Sequence, residues 1–142
     1  MIRPVLALVL WLCIAVLLLA NNLVGDTWIA VSMSRDAVAW YKVLVPIPYV
    51  FLMAAIHARR TAGPRWFDAA LVAALLWTPS TLAVDFFHSR IFFDEDPIVF
   101  ADRFAFWWGS PYPLLVLTLL LAPILMGLAF RSPPHSDGEV SR

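Results

Sequence analysis

Asp85, His88 and the run Asp94-Glu95-Asp96 place five potential metal ligands within twelve residues. On a continuous helix Asp85 and His88 stand one turn apart on one face, and a loop folding back brings the acidic run towards them. Oxygen and imidazole donors of this kind suit manganese, zinc or iron, so Asp85, His88 and Glu95 are the candidate metal ligands. A plainer use competes with that chemistry. Carboxylates favour the positive end of a helix dipole, and Asp94-Glu95-Asp96 stands where a helix starts at Pro97. Capping and local pairing are the preferred reading.

Lys42 is the one basic residue within a proposed membrane span. An ionisable group at membrane depth marks a solute or proton pathway by default, although lysine also snorkels along its four-carbon stem. Asp36 or Asp85 is the expected partner. Pro46, Pro48, Pro79 and Pro123 interrupt apolar runs. Each frees the carbonyl four residues earlier, and in lipid that oxygen needs a hydroxyl, an amide or water. Lys42, Tyr49, Thr78 and Ser80, with Asp85 at the outer end, are the candidate transport path. Asn21 and Asn22 are placed to bond across to a neighbouring helix. His57 lies beside Arg59 and Arg60 at a helix C-terminus, where the dipole and lipid phosphates favour a cation. It has no second histidine at matching depth, so no haem pair is assigned. Trp11 and Trp77 are the aromatic residues expected at depth.

These side chains must be held by a membrane-embedded scaffold. Of 142 residues, 62% are hydrophobic and 14% charged, and ten basic residues cancel ten acidic ones. A soluble chain carries about a quarter charged residues, so this composition needs lipid as its solvent. Neutral overall charge, with no basic stripe, excludes nucleic acid as a partner. Cys13 is the only cysteine and lies in an apolar run, which excludes an intramolecular disulfide.

Spanning helices need about 20 mostly apolar residues. The sequence predicts four, at about 4–24, 37–57, 66–84 and 113–130, in one domain covering 1–130. The first is expected to be retained as an anchor, because Leu18 ahead of Ala20 does not fit a signal-peptidase site. The last residues, 131–142, read as a disordered cytoplasmic tail. Arg3, Arg59, Arg60, Arg65, Arg131 and Arg142 all fall on one side, which predicts both termini in the cytoplasm. Arginine outnumbers lysine nine to one, a compositional hint of a bacterial source and hence of the inner membrane.

Between the third and fourth spans, 85–112 is too charged to cross a bilayer and too aromatic for a solvated loop. Asp96 and Pro97 form a helix start, and Gly109 suits a left-handed stop. The expected element is an amphipathic aromatic surface helix running from Ile98 to Trp108. Phe100, Phe104, Trp107 and Trp108 are its candidate contacts with a partner or lipid. The chain has no G-x-S-x-G elbow, no H-E-x-x-H and no phosphate-binding glycine loop, so the reading leans away from an enzyme. No cofactor is assigned.

The expected architecture is therefore an all-α integral membrane protein with four transmembrane helices and an outer surface helix. The expected function is a non-enzymatic accessory or interaction subunit of a larger bacterial inner-membrane complex. Its partners are membrane lipid and other proteins in the membrane, as a hetero-complex or homo-oligomer. The alternative is a small oligomeric transporter or channel using the Lys42 path. A second alternative is a membrane enzyme or metal carrier using Asp85 and His88.

Overall fold

A computed structural model describes residues 2–131. The expected tail, 131–142, lies outside the described residues apart from Arg131. Among the described residues the chain is helical throughout, with turns and no strand. Helix α1 spans Pro4–Val24 and continues through one π-helical turn, Gly25–Ile29. Helices α2 (Arg35–Leu44) and α3 (Pro46–Thr61) meet at Val45. Helix α4 spans Trp66–Phe93. A short α5 (Pro97–Asp102) and a 3-10 turn (Phe106–Trp108) lead to α6, Tyr112–Phe130.

Four helical rods, Pro4–Ile29, Arg35–Thr61, Trp66–Phe93 and Tyr112–Phe130, are long and apolar enough to cross a membrane. They form a bundle in which α6 packs on α3 and α4, and α1 packs on the same pair. Ala7, Ile14 and Leu18 meet Val50, Ala54, Ala73, Trp77, Leu119 and Ala122 in the core. Ala69, Ala70, Ala73 and Ala74 of α4 are all buried, and their small side chains let neighbouring backbones approach closely. The outward faces carry Leu8, Leu12, Val16, Leu52, Leu71, Leu75, Leu117 and Leu121. Such a surface is stable against hydrocarbon and not against water.

Two tryptophans set the register of α1 against α4. Trp77 Nε1 donates to the Ala7 carbonyl at 2.9 Å, and Trp11 Nε1 donates to Thr81 Oγ1 at 3.2 Å. Both pairs are 70 residues apart, so the two helices run parallel. The bonds cross in opposite directions one helical turn apart, and the indole N–H groups of the buried Trp77 and the half-buried Trp11 both find partners.

Expectation and structure differ at several joints. The helix expected over 66–84 runs on through Asp85 to Phe93, so the first part of the supposed surface segment is α4. The rod expected over 37–57 begins at Arg35 and is divided by Pro46, which takes the first position of α3. Pro79 and Pro123, by contrast, sit inside continuous helices. The single helix expected from Ile98 to Trp108 breaks after Asp102. There the Arg103 side chain is tied back to α4, and its carbonyl accepts from Ser110 Oγ. His57 is only 2% exposed and stands edge-on to the Trp77 ring at 6.1 Å. Its environment is the core, not the lipid phosphates.

The two ends of the bundle differ in charge. Arg3, Arg59, Arg60, Arg65 and Arg131 occupy the end where α1 begins, α3 turns into α4 and α6 stops. The other end carries Asp26, Asp36, Asp85, Asp94, Glu95, Asp96 and Asp102, with Arg35, Lys42, Arg90 and Arg103.

Candidate functional site

At the acidic end the rods part around a cavity of about 460 Å³, and a neighbouring cavity of about 260 Å³ shares much of its wall. Asn22, Asp26, Lys42, Asp85, Glu95 and Arg103 line both. Val38, Ala39, Val43, Pro111 and Leu115 give the larger cavity an apolar side. The polar residues reach it from separate stretches of the chain.

Asp26 and Lys42 come from the first two rods. The π turn after Val24 carries Asp26 round on the helical rod, and π turns of this kind recur at functional sites. Gly25 makes the approach possible, since a Cβ there would lie 2.9 Å from Lys42 Cγ. Lys42 Nζ then holds both Asp26 oxygens, at 2.7 and 2.8 Å. The partner is Asp26, not Asp36 or Asp85 as the sequence suggested. One turn inward, Asn21 Nδ2 donates to the Lys42 carbonyl at 3.3 Å. That is the carbonyl freed by Pro46.

Asp85 is 6% exposed and sits level with the start of α6, where Tyr112 OH donates to its Oδ2 at 2.7 Å. Among the described residues its Oδ1 accepts no hydrogen bond. Phe100 and Phe104 pack edge-on against the Tyr112 ring, at 6.1 and 5.2 Å, and Phe100 also meets Phe86 at 5.3 Å. These two phenylalanines, expected to contact a partner or lipid, are half-buried and back the buried tyrosine. Of the apolar residues of α5 only Phe100 packs within the chain, while Ile98 and Val99 stay exposed.

The acidic run is divided among three tasks. Asp94 ends α4 in the left-handed conformation at φ +47°, which aspartate tolerates better than most residues. Glu95 turns inward, where Arg103 Nη2 donates to its Oε2 at 2.6 Å and to Ser89 Oγ at 3.0 Å. Asp96 caps α5 by accepting from the Ile98 N–H at 2.8 Å. The segment closes at Gly109, whose φ of +87° is a conformation glycine adopts without strain.

The candidate metal ligands meet the cavities without assembling a ligand set. Asp85, His88 and Glu95 all line the smaller cavity. Asp85 is engaged by Tyr112, Glu95 by Arg103, and His88 lies against Phe92 and Phe93 with ring centroids at 5.0 and 5.4 Å. Among the described residues no three His, Cys, Asp or Glu side chains are grouped to hold an ion. The transport-path residues also separate. Lys42 and Asp85 line the cavity, whereas Tyr49, Thr78 and Ser80 line neither cavity. Among the described residues Thr78 Oγ1 is buried without a partner, and Thr81 accepts from Trp11.

Sequence reasoning missed Arg103 as the anchor of the segment and Tyr112 as the partner of Asp85. The missed signal was Tyr112 at the start of a helix whose neighbour carries an aspartate at the same level. It also missed an apolar patch at the tip of α4, where Ile91, Phe92 and Phe93 are 72%, 72% and 58% exposed. Trp107 and Trp108 of the 3-10 turn are 71% and 84% exposed. No protein-family model, curated protein or solved structure matches this chain.

Proposed function

We propose that the chain is a non-enzymatic subunit of a larger assembly in the bacterial inner membrane, receiving a protein partner on the outer tip of α4 and the adjoining aromatic turn. The observation that carries this reading is the position of Ile91, Phe92 and Phe93. Hydrocarbon about 30 Å thick accommodates roughly 20 residues at 1.5 Å each, which takes α4 from Trp66 to about Phe86. Beyond that level Arg103 is bound to Ser89 and Glu95, and between those two residues on the chain, at the level of the ion pairs, stand the three exposed apolar residues. Exposed apolar side chains at the level of a charged layer, past the hydrocarbon, have no lipid tails to cover them, so a protein surface is the fitting cover. Trp107 and Trp108 are exposed at the same end of the bundle, while Phe100 and Phe104 pack on Tyr112.

The proposed orientation places both termini in the cytoplasm and the acidic end outside, as the arginine distribution favours. With Cys13 replaced by alanine, a cysteine at Ser32 is expected to react with an impermeant maleimide in intact cells. One at Ala62 reacts only after the cells are opened, and the reverse pattern contradicts the orientation. The partner reading is tested by a photo-crosslinking amino acid at Phe92 in the native membrane. The expected result is one polypeptide crosslinked at Phe92 and none from the lipid-facing position Leu71. Lipid adducts alone at Phe92 would sink the proposal. The transport alternative is less favoured, because Tyr49, Thr78 and Ser80 stay apart from the cavity that holds Lys42 and Asp85.

A further inference from the structure

The charges around the larger cavity do not cancel locally. Lys42 is matched by both oxygens of Asp26, at 2.7 and 2.8 Å, and Arg103 by Glu95 at 2.6 Å. Asp85 remains, 6% exposed, with a neutral phenol on one oxygen and the other without a hydrogen bond. A carboxylate taken from water without a cation is costly, and a cation brought to it recovers that cost. Arg35, the other cation on the cavity wall, is exposed at the rim and makes no ion pair among the described residues. His88 faces the smaller cavity and is held by Phe92 and Phe93.

We propose that the larger cavity binds a primary ammonium group carrying an apolar body, with the ammonium donating to Asp85 Oδ1. Three features of the wall select this chemistry. Among the described residues an anionic ligand finds an unpaired cation only in the exposed Arg35, and deeper in the cavity it would meet the Asp85 carboxylate and have to displace Asp26 or Glu95 from Lys42 or Arg103. A neutral ligand leaves the Asp85 charge unmatched. The apolar side formed by Val38, Ala39, Val43 and Leu115 accepts a hydrocarbon or aromatic body, and about 460 Å³ lies in the range of cavities that enclose small organic ligands. This inference is independent of the partner surface at the tip of α4.

The ammonium has two possible sources, a free amine or the ethanolamine head of a phospholipid. The test uses the full chain in phosphatidylcholine nanodiscs, whose quaternary ammonium has no N–H to donate, with radiolabelled phenethylamine as the probe. Saturable binding is expected, with no competition from 2-phenylethanol or 3-phenylpropionate at equal concentration. Asp85→Asn should weaken it at least tenfold. Ala39→Trp, which fills the apolar side and leaves Asp85 in place, should abolish it while the protein keeps its wild-type elution and helicity. Loss of phenethylamine binding when phosphatidylethanolamine is added supports the same site with the lipid head as its ligand. Undiminished binding in that lipid supports a free amine. Absence of saturable binding in phosphatidylcholine, indifference to Asp85→Asn, or equal binding of the alcohol or carboxylate overturns the proposal.

Discussion

A proline inside a membrane-length rod leaves one carbonyl without its N–H, and at Pro46 the orphan is the oxygen of Lys42. Asn21 answers it from α1, at 3.3 Å. The need for such a partner was legible in the sequence, and so was the readiness of Asn21 to bond across helices. Their pairing was not, because it depends on the packing of two rods whose contact no local pattern encodes. The same holds for Lys42, whose partner Asp26 is presented by a π turn that the sequence does not announce. A double-mutant cycle isolates the asparagine's role. Asn21→Leu should cost about 1 kcal/mol of stability in the native sequence, the usual size of a hydrogen bond between membrane helices. In a Pro46→Ala background, where the Lys42 carbonyl regains an N–H within its own helix, the cost should largely vanish. Reversible unfolding in detergent or bicelles measures both, and strictly additive effects would contradict the assignment.

At the scale of elements, the four apolar rods were readable from length and hydropathy, since each must satisfy its own backbone and meet an apolar solvent. The segment between the third and fourth rods was readable only in part. Its Asp96-Pro97 start and its Gly109 stop follow from local backbone chemistry, and both are present. Which of its aromatic residues meet Tyr112 was not readable, because they surround most of the segment and periodicity alone does not single them out. Arg103 decides the matter by anchoring the chain to Glu95 and Ser89, which turns Phe100 and Phe104 inward and leaves Trp107 and Trp108 outside. Phe104→Ala is therefore expected to destabilise the protein by roughly 2 to 4 kcal/mol, as losses of packed aromatic side chains do. Trp108→Ala should change stability by about 0.5 kcal/mol or less. Equal effects of the two substitutions in the same unfolding assay would contradict this division of the segment.

For the whole molecule, charge and apolarity are arranged along the bundle axis. Arginines gather at one end, the lipid-length rods fill the middle, and at the other end a charged layer holds a cavity beside the apolar tip of α4. Composition alone identified the lipid requirement, and arginine placement gave the proposed orientation. The layering of cavity and tip emerges only in three dimensions, because it brings together Asp26, Lys42, Asp85, Glu95, Arg103 and Tyr112 from separate stretches of chain. That arrangement brings the candidate metal ligands Asp85, His88 and Glu95 to one cavity with Asp85 and Glu95 already engaged by Tyr112 and Arg103, and leaves the path residues Tyr49, Thr78 and Ser80 away from it. The central claim is that the tip of α4 and the aromatic turn engage a different polypeptide. Native mass spectrometry after mild detergent extraction from the source membrane tests it most directly, comparing the natural chain with a Phe92→Glu, Trp107→Glu variant. The account predicts a complex of fixed stoichiometry with another polypeptide, lost in the variant while the variant itself remains folded. A monomer or homo-oligomer for the natural chain, or a hetero-complex that survives both substitutions, would contradict it.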